Sequence, residues 1–500
     1  MPLPGCQKTL LGWAAPVPRN ATKTQLPTAP MNAQQLLQEI AEYCRRTGLA
    51  ESTFGRRAVN DGKLANRLRN GGRITTETLD RIRAFMDADR APTSTADSAA
   101  LTHREEFIPM PAKTMSAAVG VKAGEPDPQR NFRFFDNRQK YLLFVNTCSE
   151  KLVVANRISQ ELPNIHPRPP ALRVFDAGVG DGSVLSRVMR AMHDRYPTTP
   201  FYVVGKEISL EDVRLTLQKL ADRFHEHPAT TVVLTNLNYA DAPWLAVKSM
   251  SAASSMIWHE LRLQGNNAYR FDQQISELEP FLGDAWKAGV NPKTGNPMYE
   301  RPVVLVIYRE DHKFLLEPML PRPGGTMAGY DLVIASQPYR ARASLDFKVK
   351  RVVAPLARAL GPGGRMIGIH SHGHDPGHEI VQKVWPNDNP FIHDRHQILK
   401  AVKQELGPSG RELNFNVYAD NRALFRYDMH TLPSEVEGSI GTSTAFAAWN
   451  AAVYVSQVED ERLADAVNTG RYLDATREVL RKHGGLWFWD ESFVISRRRD

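Results

Sequence analysis

The stretch from Leu172 to Ser183, Leu-Arg-Val-Phe-Asp-Ala-Gly-Val-Gly-Asp-Gly-Ser, constrains this chain more than any other. An apolar run ends at Asp176, glycines follow at Gly178, Gly180 and Gly182, and a helical pattern runs from Val184 to His193. A strand that breaks into a glycine turn and then a helix brings backbone N–H groups close to a ligand. Such turns are common, so the glycines alone decide little. The next strand adds a second constraint. Phe201 to Gly205 is apolar and is followed by Lys206-Glu207, about 25 residues beyond the glycines. An acidic side chain at that distance can accept both hydroxyls of a ribose.

Asp176, Gly178, Gly180 and Gly182 match D-x-G-x-G-x-G in full. With Glu207, this constellation resembles motif I and the following acidic residue of class I S-adenosylmethionine-dependent methyltransferases. The oxidoreductase fingerprint G-x-G-x-x-G does not fit, because the third glycine comes one residue early. The resemblance covers about residues 130 to 500. It implies an α/β fold, a Rossmann-like seven-stranded sheet with helices on both faces, and S-adenosylmethionine as cofactor. Asp176 and the turn Gly178–Gly182 would hold the cofactor's amino-acid end, and Glu207 its ribose. In this family an acidic or amide side chain after the third strand meets the adenine amino group. Asp241-Ala242 looks like the family's Asp-Ala pair but lies late relative to the strand Thr231–Leu237. Asn236 therefore competes with Asp241, and both stay open.

A second match lies downstream. Phe347–Leu360 reads as a helix, Gly361-Pro362-Gly363-Gly364 as a turn and Arg365–His370 as a strand. That succession resembles the corresponding segment of many class I methyltransferases. The preceding strand, Tyr330–Ala335, ends in Ser336-Gln337-Pro338-Tyr339. Amino-methylating DNA methyltransferases carry Pro-Pro-aromatic here, the aromatic stacking on a flipped base. Gln337 replaces the first proline, so the match is partial. Substrate chemistry is expected near Tyr339 and His370, at the carboxyl ends of the strands, with His370 a candidate general base. His370, His372, His374 and His378 nearly spell a metallo-hydrolase run, but Asp375 follows His374 in the wrong order, so no metal site is assigned. The resemblance implies that the lead-in helical stretch Asn131–Leu162, with Arg138, Lys140 and Tyr141, covers the cofactor's methionine end; the reading favoured here is core and surface. The last strand, Leu486–Ser496, suits the antiparallel seventh strand at the sheet's edge.

Roughly 80 residues separate Asp241 from Tyr330, where a minimal fold uses far fewer. The inserted segment, around 246–329, reads as a helical part containing Trp258, Phe271, Ile275, Leu278 and Phe281. A hairpin of Val303–Tyr308 and Lys313–Leu316 follows. A substrate cap and a homodimer surface both suit it, and sequence leaves them open.

Upstream, residues 35–86 read as four helices within a domain of residues 31–90. The short second helix capped by Ser52, the third helix Lys63–Asn70 and the Gly-then-Thr-Glu-Thr-Leu opening of the fourth resemble the helix-turn-helix of phage-repressor-type regulators. That resemblance implies DNA as a partner, with Lys63, Asn66, Arg67 and Arg69 facing the major groove. Arg45, Arg46, Arg56, Arg57 and Arg73 would then meet phosphates. The alternative is a solvated basic face. Residues 1–30 read as disordered and 91–129 as a linker rich in Ala, Ser, Thr, Asp and Pro.

At 500 residues the chain needs more than one core. No window approaches twenty uninterrupted apolar residues, so no membrane partner is expected. Cys6, Cys44 and Cys148 form neither a zinc pattern nor a disulfide framework, which fits the cytoplasm. A net charge of +8 permits an anionic partner without demanding one. The sequence thus reads as a methyltransferase of unidentified acceptor, whether small molecule, protein or nucleic acid. The alternative is a DNA-binding regulator whose larger domain serves as ligand sensor or interaction platform.

Overall fold

The computed structural model describes residues 33–87 apart from 48, 60, 62 and 71–75. It also describes residues 138–499 apart from 291–296, 326–327 and 432–439. The expected disordered N-terminus and the expected linker 91–129 lie outside the described residues. The chain divides into two compact units, Met1–Ser116 and Ala117–Asp500.

In the first unit, four helices surround a small core: α1 (Ala33–Thr47), α2 (Glu51–Val59), α3 (Leu64–Arg69) and α4 (Thr76–Asp87). Leu36, Ile40, Phe54, Leu64, Leu68 and Ile82 are buried there at helical spacing, and Tyr43 meets Phe54 edge to face at 5.3 Å. The helix α2 begins at Glu51, so Ser52 lies inside it rather than capping it. Gly55 is required by packing, since a Cβ there would lie 2.2 Å from the Asp61 carbonyl oxygen.

The second unit is built on one ten-stranded sheet in the order β10-β12-β9-β8-β1-β2-β3-β7-β4, with β11 paired to β12 off this path. Its strands are β1 (Leu172–Asp176), β2 (Phe201–Lys206), β3 (Thr230–Thr235), β4 (Ile257–Leu263), β7 (Val303–Arg309), β8 (Tyr330–Ser336), β9 (Leu360–Ser371), β10 (Leu413–Asn416), β11 (Leu424–Asp428) and β12 (Trp487–Arg497). The strands β5 (Ala288–Val290) and β6 (Pro297–Tyr299) form a separate ribbon. Seven strands, β3-β2-β1-β8-β9-β12-β10, make the doubly wound sheet that the resemblance implies, and three more extend it. Within it β3, β2, β1, β8 and β9 run parallel, and β12 is antiparallel to β9.

Alternation along each strand feeds both faces. The helices α5 (Arg138–Thr147) and α6 (Glu150–Ser159) lie ahead of β1; Val174, Val203 and Leu332 join one core with α6, α7 (Ser183–Arg195) and α8 (Leu210–Glu226), whereas Phe144 of α5 packs in a separate cluster with Tyr427 and Phe488. Phe175, Val204 and Val333 join the opposite core with Val352, Leu356, Ile398 and Val402. Phe201 through Val204 are fully buried, as expected of a central parallel strand. Burial of each large side chain contributes about 1.5–3 kcal/mol.

Three expectations are corrected. The strand β12 is not at the edge, because β9 flanks it on one side and β10 and β11 pair along the other. Lys313–Leu316 is a helical turn, not the second arm of a hairpin, and Trp258 lies in β4, not in a helix. The inserted segment instead extends the sheet. Its β7 pairs antiparallel with β3, and β4 pairs parallel with β7.

Candidate functional site

The chain order reverses at β1, whose neighbours are β2 on one side and β8 on the other. Open α/β sheets bind ligands in the crevice outside the carboxyl ends of such strands. A cavity of about 340 Å³ lies there, within the size range of small-molecule sites. Its lining comes from the ends of β1, β2, β8 and β9 and from a layer that covers them. That layer is built from α5, α6, β11 and the helix Thr442–Val455, through Tyr141, Phe144, Tyr427 and Tyr454.

The glycine turn has the geometry its sequence requires. Gly180 and Gly182 hold φ of +57° and +76°, the left-handed region that favours glycine. Gly178 and Gly180 line the cavity, and a Cβ at Gly178 would meet nothing within 4 Å. Gly182 does not line it. A Cβ at Gly182 would sit 2.8 Å from Thr216 Cα, so this glycine lets the turn pack on α8.

Glu207 lines the cavity and ties the turn to β2. Its Oε2 accepts from the Gly180 N–H at 2.7 Å, and its Oε1 accepts from the N–H groups of Ile208 and Ser209 at 2.7 and 2.8 Å. Burial raises its pKa, aided by Asp212, while those backbone donors oppose the rise. A carboxylate offers about four lone-pair sites, so three backbone bonds leave room for about one ligand hydroxyl. The insertion braces this loop from behind: Trp286 Nε1 donates to the Glu207 carbonyl at 3.0 Å, and the Tyr299 hydroxyl donates to that of Ile208. No described residue of 246–329 lines the cavity.

Asp176 is 1% exposed and lies outside the lining. Its Oδ1 accepts from the Gly178 N–H at 3.2 Å. Burial pushes its pKa up to about 7, so at neutral pH the carboxyl that braces the turn is close to half protonated.

The two adenine candidates lie elsewhere as well. Asn236 is spent on the sheet extension, its Nδ2 donating to the Arg301 carbonyl at 3.0 Å and its Oδ1 accepting from the Val303 N–H at 2.9 Å. Asp241 accepts from Asn238 Nδ2 at 2.7 Å on the surface. Both line a separate cleft with Ser249 and Ser251. From this part of the chain the cavity receives Ile208 and Tyr239, which the sequence reading did not single out. Tyr239 donates to the Pro338 carbonyl at 2.6 Å, and Lys206 Nζ lies 4.7 Å from its ring centroid. Burial lowers the Lys206 pKa to about 8, against the opposing pull of Glu207.

Tyr339 lines the cavity, whereas His370 stands behind it. Tyr339 Oη and His370 Nδ1 are 3.0 Å apart, and His370 Nε2 is 2.7 Å from Glu491 Oε1. Arg395 holds the same carboxylate through its backbone N–H at 2.8 Å and its Nη1 at 3.0 Å. Although burial opposes it, this company holds the Glu491 pKa far below the usual carboxylate range. His370 is buried and does not line the cavity, with Tyr339 between them. At the same strand ends Gln337, at φ +47°, donates to Ser371 Oγ at 3.1 Å and to buried Asp490 at 3.3 Å.

The histidine run is structural in part. Asp375 caps the helix Pro376–Val384 by accepting the His378 N–H at 2.8 Å, and His378 Nε2 sits 3.2 Å from the Asp388 carbonyl oxygen. Among the described residues no group of three or more His, Cys, Asp or Glu is arranged to hold a metal. Among them also, no helix is long and apolar enough to cross a membrane.

In the first unit Lys63, Asn66, Arg67 and Arg69 are all exposed on α3 or at its start. Two of the charges are already engaged: Arg67 pairs with Asp61 at 2.7 Å and Arg69 with Glu51 at 2.6 Å.

No family model and no curated protein matches the chain. Solved structures with a weak likeness include a geranyl diphosphate methyltransferase in complex with GPP and sinefungin. Its identity is 12% and its TM-score 0.27, over 69% of this chain and 77% of that one. A putative sarcosine dimethylglycine methyltransferase from Galdieria sulphuraria has 9% identity and a TM-score of 0.27, over 72% and 86%. A loganic acid methyltransferase with SAH has 9% identity and a TM-score of 0.26, over 75% and 98%. Likenesses this weak bear on neither substrate nor site.

Proposed function

We propose that the second unit is an S-adenosylmethionine-dependent methyltransferase acting on an acceptor that enters the cavity. The observation that carries this reading is the convergence of Gly178, Gly180 and Glu207 on one cavity at the switch point of the sheet. The residues present fit the cofactor. The turn leaves open space above Gly178, Glu207 retains acceptor capacity for a ribose hydroxyl, and Ile208 with Tyr239 offers apolar and aromatic surface for a purine. When bound, S-adenosylmethionine supplies an activated methyl group. The chain's own part is to fix the geometry and exclude water. The aromatic layer of Phe144, Tyr427 and Tyr454 lines one side of the cavity, and Tyr339 is held in one orientation by His370, Glu491 and Arg395.

The regulator alternative has less support: Arg67 and Arg69 each already pair with a carboxylate of the same unit. Equilibrium dialysis with radiolabelled S-adenosylmethionine tests the main reading. Saturable binding that Glu207→Gln weakens at least about tenfold, the worth of one charged hydrogen bond, is the expected result. Absence of binding by folded protein overturns it.

A further inference from the structure

The charged residues of the cavity lining are Glu150, Lys151, Lys206, Glu207, Asp212 and Arg340, and the cations among them are not equally answered. Lys151 forms an ion pair with Glu150 at 3.1 Å. Burial lowers the Arg340 pKa to about 10, and the charge of Glu459 opposes that fall. Lys206 stands apart. It is 6% exposed, and among the described residues its ammonium forms no ion pair and no hydrogen bond. Its contact is the ring of Tyr239, whose centroid lies 4.7 Å from Nζ.

The strand decides which way that ammonium faces. Lys206 and Glu207 are successive residues at the end of β2, so their side chains leave opposite faces. Glu207 reaches back to the Gly180 N–H of the glycine turn. Lys206 reaches Tyr239, whose hydroxyl donates to the Pro338 carbonyl at 2.6 Å. The ammonium therefore lies toward the loop after β8, where Tyr339 and Arg340 continue the lining. The turn and Glu207 are left for the cofactor, and Lys206 for whatever lies beside it.

A buried ammonium without a counter-ion is costly, and an aromatic face replaces only part of its lost hydration. Burial lowers the Lys206 pKa to about 8, so the group still carries its charge at neutral pH, with three donors to offer. One unanswered positive charge matches a monoanion. A phosphate dianion would bring a second negative charge toward Glu207 and Asp212. Phe144, Tyr427 and Tyr454 supply apolar surface for the remainder of such a ligand.

We propose that Lys206 holds a carboxylate of the methyl acceptor, which makes the acceptor an organic monoacid with an apolar or aromatic body. The proposal rests on the methyltransferase reading and names its substrate class. Lys206 is the specificity-determining residue on the acceptor side of β2, as Glu207 is on the cofactor side.

The test is calorimetry on the full chain saturated with S-adenosylhomocysteine, using three probes. Benzoate carries the carboxylate, benzamide is a neutral probe of nearly the same shape, and phenyl phosphate carries the dianion. Benzoate is expected to bind at least about tenfold tighter than benzamide, the worth of one charged hydrogen bond, and at least as tightly as phenyl phosphate. Lys206→Met, of similar length without the charge, should abolish the preference for benzoate and leave S-adenosylhomocysteine within about twofold. The wild-type comparison stands whether or not the variant folds. The assignment is overturned if loaded wild type binds benzoate no better than benzamide, or binds phenyl phosphate best. It is also overturned if folded Lys206→Met keeps the preference, or loses S-adenosylhomocysteine as strongly as benzoate, which would put the ammonium on the cofactor. Each of those results leaves the methyltransferase reading standing. Folded wild type that does not bind S-adenosylhomocysteine would overturn that reading, and the acceptor assignment with it.

Discussion

The carboxyl ends of β2 and β3 carry similar side chains and put them to different uses. At β2, Glu207 turns into the cavity and gathers three backbone N–H groups while keeping room for a ligand. At β3, Asn236 turns to β7 and spends both ends of its amide on Arg301 and Val303. What separates them is the neighbour. The strand β2 lies inside the sheet with its end open to the cavity, whereas β3 would be an edge without β7. An unpaired edge costs backbone hydrogen bonds, and the insertion supplies them. A polar residue after a strand therefore reads as a ligand contact only when the adjacent edge is not built over.

Four substitutions would break or sharpen that contrast. The largest effect is expected from Glu207→Ala, which leaves three N–H groups without their acceptor. Stability should fall by about 2–4 kcal/mol and S-adenosylmethionine affinity by about a hundredfold or more, read by thermal melting and calorimetry. Asn236→Ala should lower stability by about 1–3 kcal/mol through two lost bonds, yet leave S-adenosylmethionine affinity within about twofold. A large affinity loss there would return Asn236 to the cofactor site.

Asp176→Asn gives a smaller and pH-dependent change of opposite sign. Native Asp176 keeps its proton up to about pH 7, whereas its reference pKa is 3.8. Between those values the native state binds more protons than the unfolded chain, so wild-type stability falls as pH rises through the window. Asparagine does not titrate. The variant should match wild type near pH 4 and exceed it by about 1–3 kcal/mol at pH 8 in urea melts. An advantage that is flat with pH would mean that Asp176 is ionised throughout. Smallest of all, Asp241→Ala should change stability by less than about 0.5 kcal/mol and binding not at all, since its partner is a surface amide.

The sequence made the central strands legible because they combine continuous apolar runs with glycines whose positions turn geometry dictates. Gly178, Gly180 and Glu207 were readable from spacing, but the expected turn Gly361–Gly364 lies inside β9, at the point where its register with β8 shifts. A Cβ at Gly364 would fall 2.3 Å from the Tyr330 carbonyl oxygen, so the residue is demanded by the close approach of β8. The insertion was less legible. Phe314, Leu315 and Leu316 form a short apolar run without β-branched residues, which fits strand or helix equally. In β4 the alternation is present, with Glu260 and Arg262 exposed, but it was overshadowed by the helical spacing that begins at Phe271. Asn236 and Asp176 lie outside the cavity lining for one reason. Their hydrogen-bond partners are backbone groups, and those leave no trace in sequence. Glu150, Lys151 and Tyr141 sit on helices with little segregation of polar from apolar residues, so nothing local marks them as facing a cavity.

The central claim is that the glycine turn and Glu207 enclose an S-adenosylmethionine site. Calorimetric titration of the purified chain with S-adenosylmethionine, beside Gly180→Arg, tests it most directly. Arginine at Gly180 must take φ +57° in a turn that lines the cavity, so its side chain would compete for the ligand's space. The account predicts one saturable site in wild type and none in the variant. No binding by folded wild type, or equal binding by both, would contradict it.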